Sequence, residues 1–163
     1  MAVGAIKYSI LKQGIGKDII FDFDKSLSLE GDSGPYLQYA YTRALSVLNK
    51  AGEVATESLR SDLACPSKPW RSRERPLKGP TSMIALESLL YRLPEVVERA
   101  YQDLAPQQLI TYLLEVASAF NRFYAENKII GGEHEAYCLA LTRATSIVLK
   151  NGLQILAIPT LER

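Results

Sequence analysis

An all-α fold, a helical bundle with an irregular N-terminal arm, is the architecture this sequence predicts. Three observations carry that reading. From Thr81 onward, apolar residues recur at helical spacing. Prolines and glycines punctuate the chain where helices start and stop. No sustained alternation of apolar and polar residues founds a sheet. The 163 residues suffice for one domain with its own core, read as spanning 1–163.

Taken in order, Val3 to Gln13 reads as a helix with Val3, Ile6, Ile10 and Leu11 on its apolar side, stopped by Gly14 and Gly16. Asp18 to Phe23 mixes β-branched and aromatic residues and reads as a short extended piece. Lys25 to Leu29 follows as a helical turn. The stretch from Glu30 to Arg43 begins as a turn. Gly31 and Gly34 tolerate φ > 0, Asp32 and Ser33 can bond nearby backbone N–H groups, and Pro35 suits a first helical turn. The helix from Pro35 carries Tyr36, Tyr39, Ala40 and Arg43 along one stripe and runs to a stop at Gly52. Residues 64–80 hold four prolines and five Lys or Arg residues, and read as a basic, Pro-rich surface loop anchored by Trp70.

Beyond the loop, Thr81 or Ser82 caps a helix bearing Ile84, Leu86, Leu89 and Leu90. Pro94 opens the next, with Val96, Val97, Ala100, Tyr101 and Leu104 on its apolar side. Pro106 starts another, running to about Asn127 with Leu109, Leu113, Val116, Phe120 and Tyr124 in register. After a connector at 129–132, Glu133 to Asn151 is the last long helix, with Leu139, Leu141, Ala144, Ile147 and Val148 facing the core. Gly152 breaks or kinks it before a short turn to Ile158.

The composition, 47% hydrophobic and 23% charged, is that of a globular chain. A net charge of +1 excludes a globally basic protein and leaves room for a local basic face. Cys65 and Cys138 form no metal or redox spacing and fit a reducing, cytoplasmic setting. His134, the one histidine, belongs to no set of Cys and His large enough to bind zinc. No apolar run is long enough to cross a bilayer, and the start does not read as a signal peptide. The chain opens abruptly in amphipathic sequence, as a piece of a longer protein would.

No catalytic constellation emerges. Gly14-Ile15-Gly16-Lys17 lacks the spacing and the following Ser/Thr of a phosphate loop, and it follows a helix. Asp22 and Asp24 read as an exposed pair. Ser28, Ser33 and His134 have no nucleophile-elbow context. What stands out is the ratio of nine tyrosines to four phenylalanines and one tryptophan, because several tyrosines adjoin arginines. Tyr39 and Tyr41 lie near Arg43, Tyr91 beside Arg92, and Tyr124 near Arg122. Such pairs can stack bases while the cation meets phosphate. The competing reading makes the tyrosines core residues with satisfied hydroxyls.

The motifs resemble the C-terminal part of arginyl-tRNA synthetases. The resemblance rests on Val3-Gly4-Ala5-Ile6-Lys7-Tyr8, Phe21-Asp22-Phe23-Asp24, Glu30-Gly31 through Gly34-Pro35-Tyr36-Leu37-Gln38-Tyr39-Ala40, Leu93-Pro94-Glu95-Val96-Val97, Tyr112-Leu113, Ala119-Phe120-Asn121-Arg122-Phe123-Tyr124, Leu139-Ala140-Leu141-Thr142-Arg143 and Val148-Leu149-Lys150-Asn151-Gly152-Leu153. It covers nearly the whole chain and implies the helical anticodon-binding domain called DALR. The parent enzyme it implies uses ATP, with Mg, to attach arginine to its tRNA. The ATP-binding signatures of that family, HIGH and KMSKS, lie upstream of the matching region and do not occur here, so the chain is expected to hold no cofactor and no catalytic site. The family's usual Glu-Arg-Met ending stops here at Glu162-Arg163.

The implied RNA-binding residues are Gly31, Asp32, Ser33 and Gly34 of the loop, then Tyr36, Gln38, Tyr39 and Tyr124 at the anticodon. Arg43, Arg122, Arg143 and Lys150 are phosphate contacts or surface ion pairs. The implied partners are an arginine-specific tRNA and the chain's own upstream catalytic domain, without a membrane and as a monomer. A stand-alone helical interaction module without RNA binding is the alternative.

Overall fold

The computed structural model describes residues 2–14, 31–61, 81–132 and 134–160. The expectations for 18–29 and for the loop at 64–80 lie outside the described residues. Six helices are described: α1 (Ala2–Leu11), α2 (Gly34–Ser61), α3 (Thr81–Tyr91), α4 (Leu93–Gln102), α5 (Pro106–Glu126) and α6 (Glu135–Ile155). No strand occurs among the described residues.

The central element is α5, which packs against all five other helices. Its sequence explains why. Leu109, Ile110, Tyr112, Leu113, Val116, Ala117, Phe120 and Phe123 are all buried, an apolar band too wide for a helix that touches one neighbour. Burying a side chain such as Phe120 contributes roughly 1.5–3 kcal/mol. The core has two lobes. One joins the first half of α5 to Leu37, Leu149, Leu153 and Ile158. The other joins Phe120 and Phe123 to Ala44, Val47, Leu86 and Leu141.

Several expectations give way to packing. In α1 the buried residues are Gly4, Ala5 and Tyr8, while Val3, Ile6 and Ile10 are exposed. The cause is a close crossing with α2. A Cβ on Gly34 would sit 2.8 Å from the Gly4 carbonyl oxygen, and one on Gly4 would sit 2.9 Å from Gln38 Nε2. Only small residues fit that crossing, so the larger apolar stripe is turned outward. Gly52 does not stop α2, which continues to Ser61. A solvent-facing glycine costs a helix about 1 kcal/mol, and good helix formers follow it. Gly152 does not break α6 either. It is buried because α5 presses on it, and a Cβ there would meet Leu113 Cδ1 at 2.8 Å.

Ile84 and Ile147 are exposed, as are Tyr101 and Leu104 at the end of α4. Leu104 (φ 50°) and Ala157 (φ 53°) occupy the left-handed region just past α4 and α6. Ala105 N–H donates to the Ala100 carbonyl and Ile158 N–H to the Leu153 carbonyl, so each helix closes in the same C-terminal motif without glycine. That motif turns the chain back, and it lets Leu156 and Ile158 reach the core.

Candidate nucleic-acid interface

The turn before α2 is the expected RNA loop, and it is occupied with holding the fold. Gly31 is exposed at φ +82°, a conformation that favours glycine. The Asp32 carboxylate accepts a hydrogen bond from the Tyr8 hydroxyl and pairs with Lys12, tying the turn to α1. Burial together with Asp32 pushes the Tyr8 hydroxyl pKa up. Ser33 Oγ accepts the Tyr36 N–H at 3.2 Å, as an N-cap does.

Three of the residues expected to contact RNA are buried. Ser33 is enclosed and used as the cap, Gly34 lies against Gly4, and Gln38 is fully buried. Gln38 Nε2 donates to the Pro159 carbonyl at 2.6 Å, so this side chain pins the C-terminal segment. Tyr41 is also core, not surface.

Tyr39 and Tyr124 converge on one cation. Arg43 stands one turn beyond Tyr39 on α2, and its guanidinium lies 4.6 Å from the Tyr39 ring centroid and 5.1 Å from that of Tyr124. One of its nitrogens donates to the Tyr39 hydroxyl at 2.7 Å, and another donates to Asn121 Oδ1 at 2.7 Å. Asn121 Nδ2 then donates to the Tyr36 hydroxyl at 2.8 Å. A single hydrogen-bonded chain therefore runs Tyr36–Asn121–Arg43–Tyr39. Tyr39 and Tyr124 are about two-fifths exposed, which leaves ring surface for a ligand, whereas Tyr36 packs against the core. The sequence pairing of Tyr124 with Arg122 is replaced by a contact across the bundle with Arg43, because helix positions two apart point to different faces.

Asn121 is the member that sequence reasoning missed. It lay inside a matching motif, and its amide carries no signal until α2 and α5 are packed together. Arg122 and Arg143 are exposed on α5 and α6 and stand outside this network; Lys150 is half-buried. Elsewhere, burial and the Glu87 carboxylate push the Tyr137 hydroxyl up to about 12, and that hydroxyl donates to Glu87 at 2.8 Å. Burial above all pushes the Tyr112 hydroxyl up to about 12, where it donates to the Leu89 carbonyl. Among the described residues no helix is long and apolar enough to cross a membrane.

A preorganised guanidinium with two partly exposed aromatic rings is suited to single-stranded nucleic acid, since the rings offer π-faces and the cation attracts phosphate. Comparison with known proteins points the same way. The model of the DALR anticodon binding domain matches residues 37–163. The chain is similar over its whole length to an arginine–tRNA ligase of Cutibacterium acnes, at 38% identity and covering 29% of that protein. It is 38% identical to one from Pyrococcus abyssi, covering 25% of it. Among solved structures, it superposes on the Thermus thermophilus arginyl-tRNA synthetase with a TM-score of 0.77 at 30% identity, over 99% of this chain and 26% of that one. The Plasmodium falciparum arginyl-tRNA synthetase gives a TM-score of 0.75 at 26% identity, over 99% of this chain and 26% of that one. The chain thus spans about a quarter of the length of these relatives.

Proposed function

The chain belongs to the DALR anticodon-binding domain family, and we propose on that basis that it is the module with which an arginine–tRNA ligase grips the anticodon loop of its tRNA. The observation that carries this reading is the Arg43 cluster. Its guanidinium is held by Asn121 and Tyr39 beside two partly exposed rings. An unstacked loop base has ring surface on Tyr39 and Tyr124, and its phosphate has Arg43. Arg122, Arg143 and Lys150 would add charge at a distance.

In this reading the chemistry lies in the remaining three-quarters of the relatives' length. That part would bind ATP with Mg, arginine and the acceptor end, in a cytoplasmic, monomeric enzyme. The chain alone would hold the RNA and catalyse nothing. The catalytic domain would have apolar surface to rest on in the Val3, Ile6 and Ile10 stripe of α1.

A titration with arginine tRNA against an unrelated tRNA tests the reading. Arginine tRNA should bind more tightly. Tyr39→Ala or Tyr124→Ala should weaken it roughly ten- to a hundredfold, the worth of one base–aromatic stack. Equal affinity for both tRNAs, unmoved by either substitution, would refute it and favour a protein-interaction module.

A further inference from the structure

Beside the Arg43 cluster lies a groove that no motif in the sequence announced. It encloses about 370 Å³, within the range of roughly 300–1,000 Å³ that holds small ligands. Arg43, Ser46, Val47 and Lys50 of α2 form one wall. Tyr124, Asn127, Lys128, Ile129 and Ile130, from the end of α5 and the connector to α6, form the other. Arg43 and Tyr124 thus belong to both the cluster and the groove.

Its chemistry is one-sided. Among the described residues, three cations line it and no carboxylate does. Among the described residues neither Lys50 nor Lys128 makes an ion pair. The connector holds its shape through Gly131 at φ +71°, whose N–H donates to Glu135 at 3.0 Å, and through Gly132, where a Cβ would strike the Lys128 carbonyl. The floor is apolar: Val47 and Ile129 are buried and Ile130 half-buried. The Asn127 amide nitrogen, a candidate base reader, is spent on the Phe123 carbonyl at 2.9 Å and on Ser82 at 3.4 Å.

We infer that this groove is a second nucleotide subsite, which seats the neighbour of the base at the tyrosines by charge and apolar contact and does not read its identity. This rests on the RNA-binding reading above and extends it. The phosphate lies between Lys50 and Lys128, and the base lies flat on Ile130 and Val47. Arg43 and Lys50 are seven residues apart on α2, about 10 Å along its axis. Stacked nucleotides rise only about 3.4 Å each. The two bases are therefore splayed apart, the state in which proteins bind single-stranded RNA loops.

The test is fluorescence anisotropy of this chain with the anticodon stem-loop hairpin of an arginine tRNA, across a salt series, with circular dichroism to confirm folding. Lys50→Gln with Lys128→Gln leaves one phosphate of a single strand without its cations. The slope of log K against log salt should become shallower by about 0.7, and affinity at 0.1 M salt should fall about fivefold. Ser46→Glu, at an exposed position, places a negative charge inside the groove and should weaken binding at least as much as losing one lysine. One loop position should lose affinity when made abasic yet tolerate any base.

If Tyr39→Ala weakens binding while the lysine pair and Ser46→Glu change neither affinity nor slope, the groove is not a subsite and the broader reading stands. If no variant matters, both fall. If the groove variants act but every base swap at the sensitive position costs as much as base removal, the subsite reads sequence and the inference as stated is overturned.

Discussion

Asn121→Leu isolates what the hydrogen-bonded chain contributes. Leucine suits a helix, so α5 itself should tolerate it. Two bonds disappear: the one accepted from Arg43 at 2.7 Å and the one donated to the Tyr36 hydroxyl at 2.8 Å. A neutral bond is worth about 0.5–1.5 kcal/mol net and one to a charged group about 1.5–3. Arg43 and Tyr36 are only half-buried, so water can replace the lost partner and the low end of each range applies. The added apolar surface of leucine returns about 1 kcal/mol. The net loss is then about 1–2 kcal/mol, or roughly 2–8 °C in Tm for a chain of this size.

The consequence for RNA is separate. Without Asn121 the Arg43 side chain must be ordered at the moment of binding, at about 0.5–1.5 kcal/mol per immobilised side chain, which weakens binding roughly two- to twelvefold. The number of charges is unchanged, so the salt slope should not move. Asn121→Asp differs: it keeps the Arg43 bond, loses the donor to Tyr36, and cancels a charge, so the slope should become shallower by about 0.7. Urea or thermal melts and the anisotropy titration supply all three readouts. The reasoning is refuted if Asn121→Leu leaves both melting and affinity unchanged, or if it changes the slope as the aspartate does.

Other expectations follow from single features. Gly152→Ala should destabilise by about 1–3 kcal/mol through the clash with Leu113, which a melt reads as a drop of several degrees. Leu104→Gly should raise Tm by about 1–4 °C, because relief of the left-handed backbone exceeds the added chain entropy and little packing is lost from a residue 69% exposed; a fall in Tm would show that the side chain matters more than the backbone. Stability should decline as pH rises from about 10, the usual tyrosine value, through about 12, since the folded chain holds the Tyr112 and Tyr137 protons more tightly than the unfolded one. Tyr137→Phe should remove part of that slope in urea titrations between those limits. Purified chain should show no arginine-dependent pyrophosphate exchange, and exchange above background would mean that a catalytic site is present.

Read by itself, the sequence determined the local events. The proline starts at Pro94 and Pro106, the helical period of α5 and the end of α1 near Gly14 follow from backbone preferences within a few residues. It also marked Tyr39 and Tyr124 through the motifs that contain them, and Arg43 through its helical spacing from Tyr39. The tertiary structure decided which face of each helix is inside. Periodicity shows that α1 has an apolar stripe; the glycine crossing with α2 decides that Gly4, Ala5 and Tyr8 are buried in its place. Gly152 reads as a helix breaker until Leu113 is seen pressing on it. Ser33 reads correctly as a residue that bonds nearby backbone, but Gln38 reads as an RNA contact until its bond to Pro159 is seen to lie in the core. Asn121 and Arg43 are joined across the bundle at a sequence separation of 78, and Lys50 and Lys128 come to line one groove. Such pairings depend on the relative rotation and translation of α2 and α5, set by the fit of Ala44, Val47, Phe120 and Phe123 in their shared core, and no local preference encodes that fit.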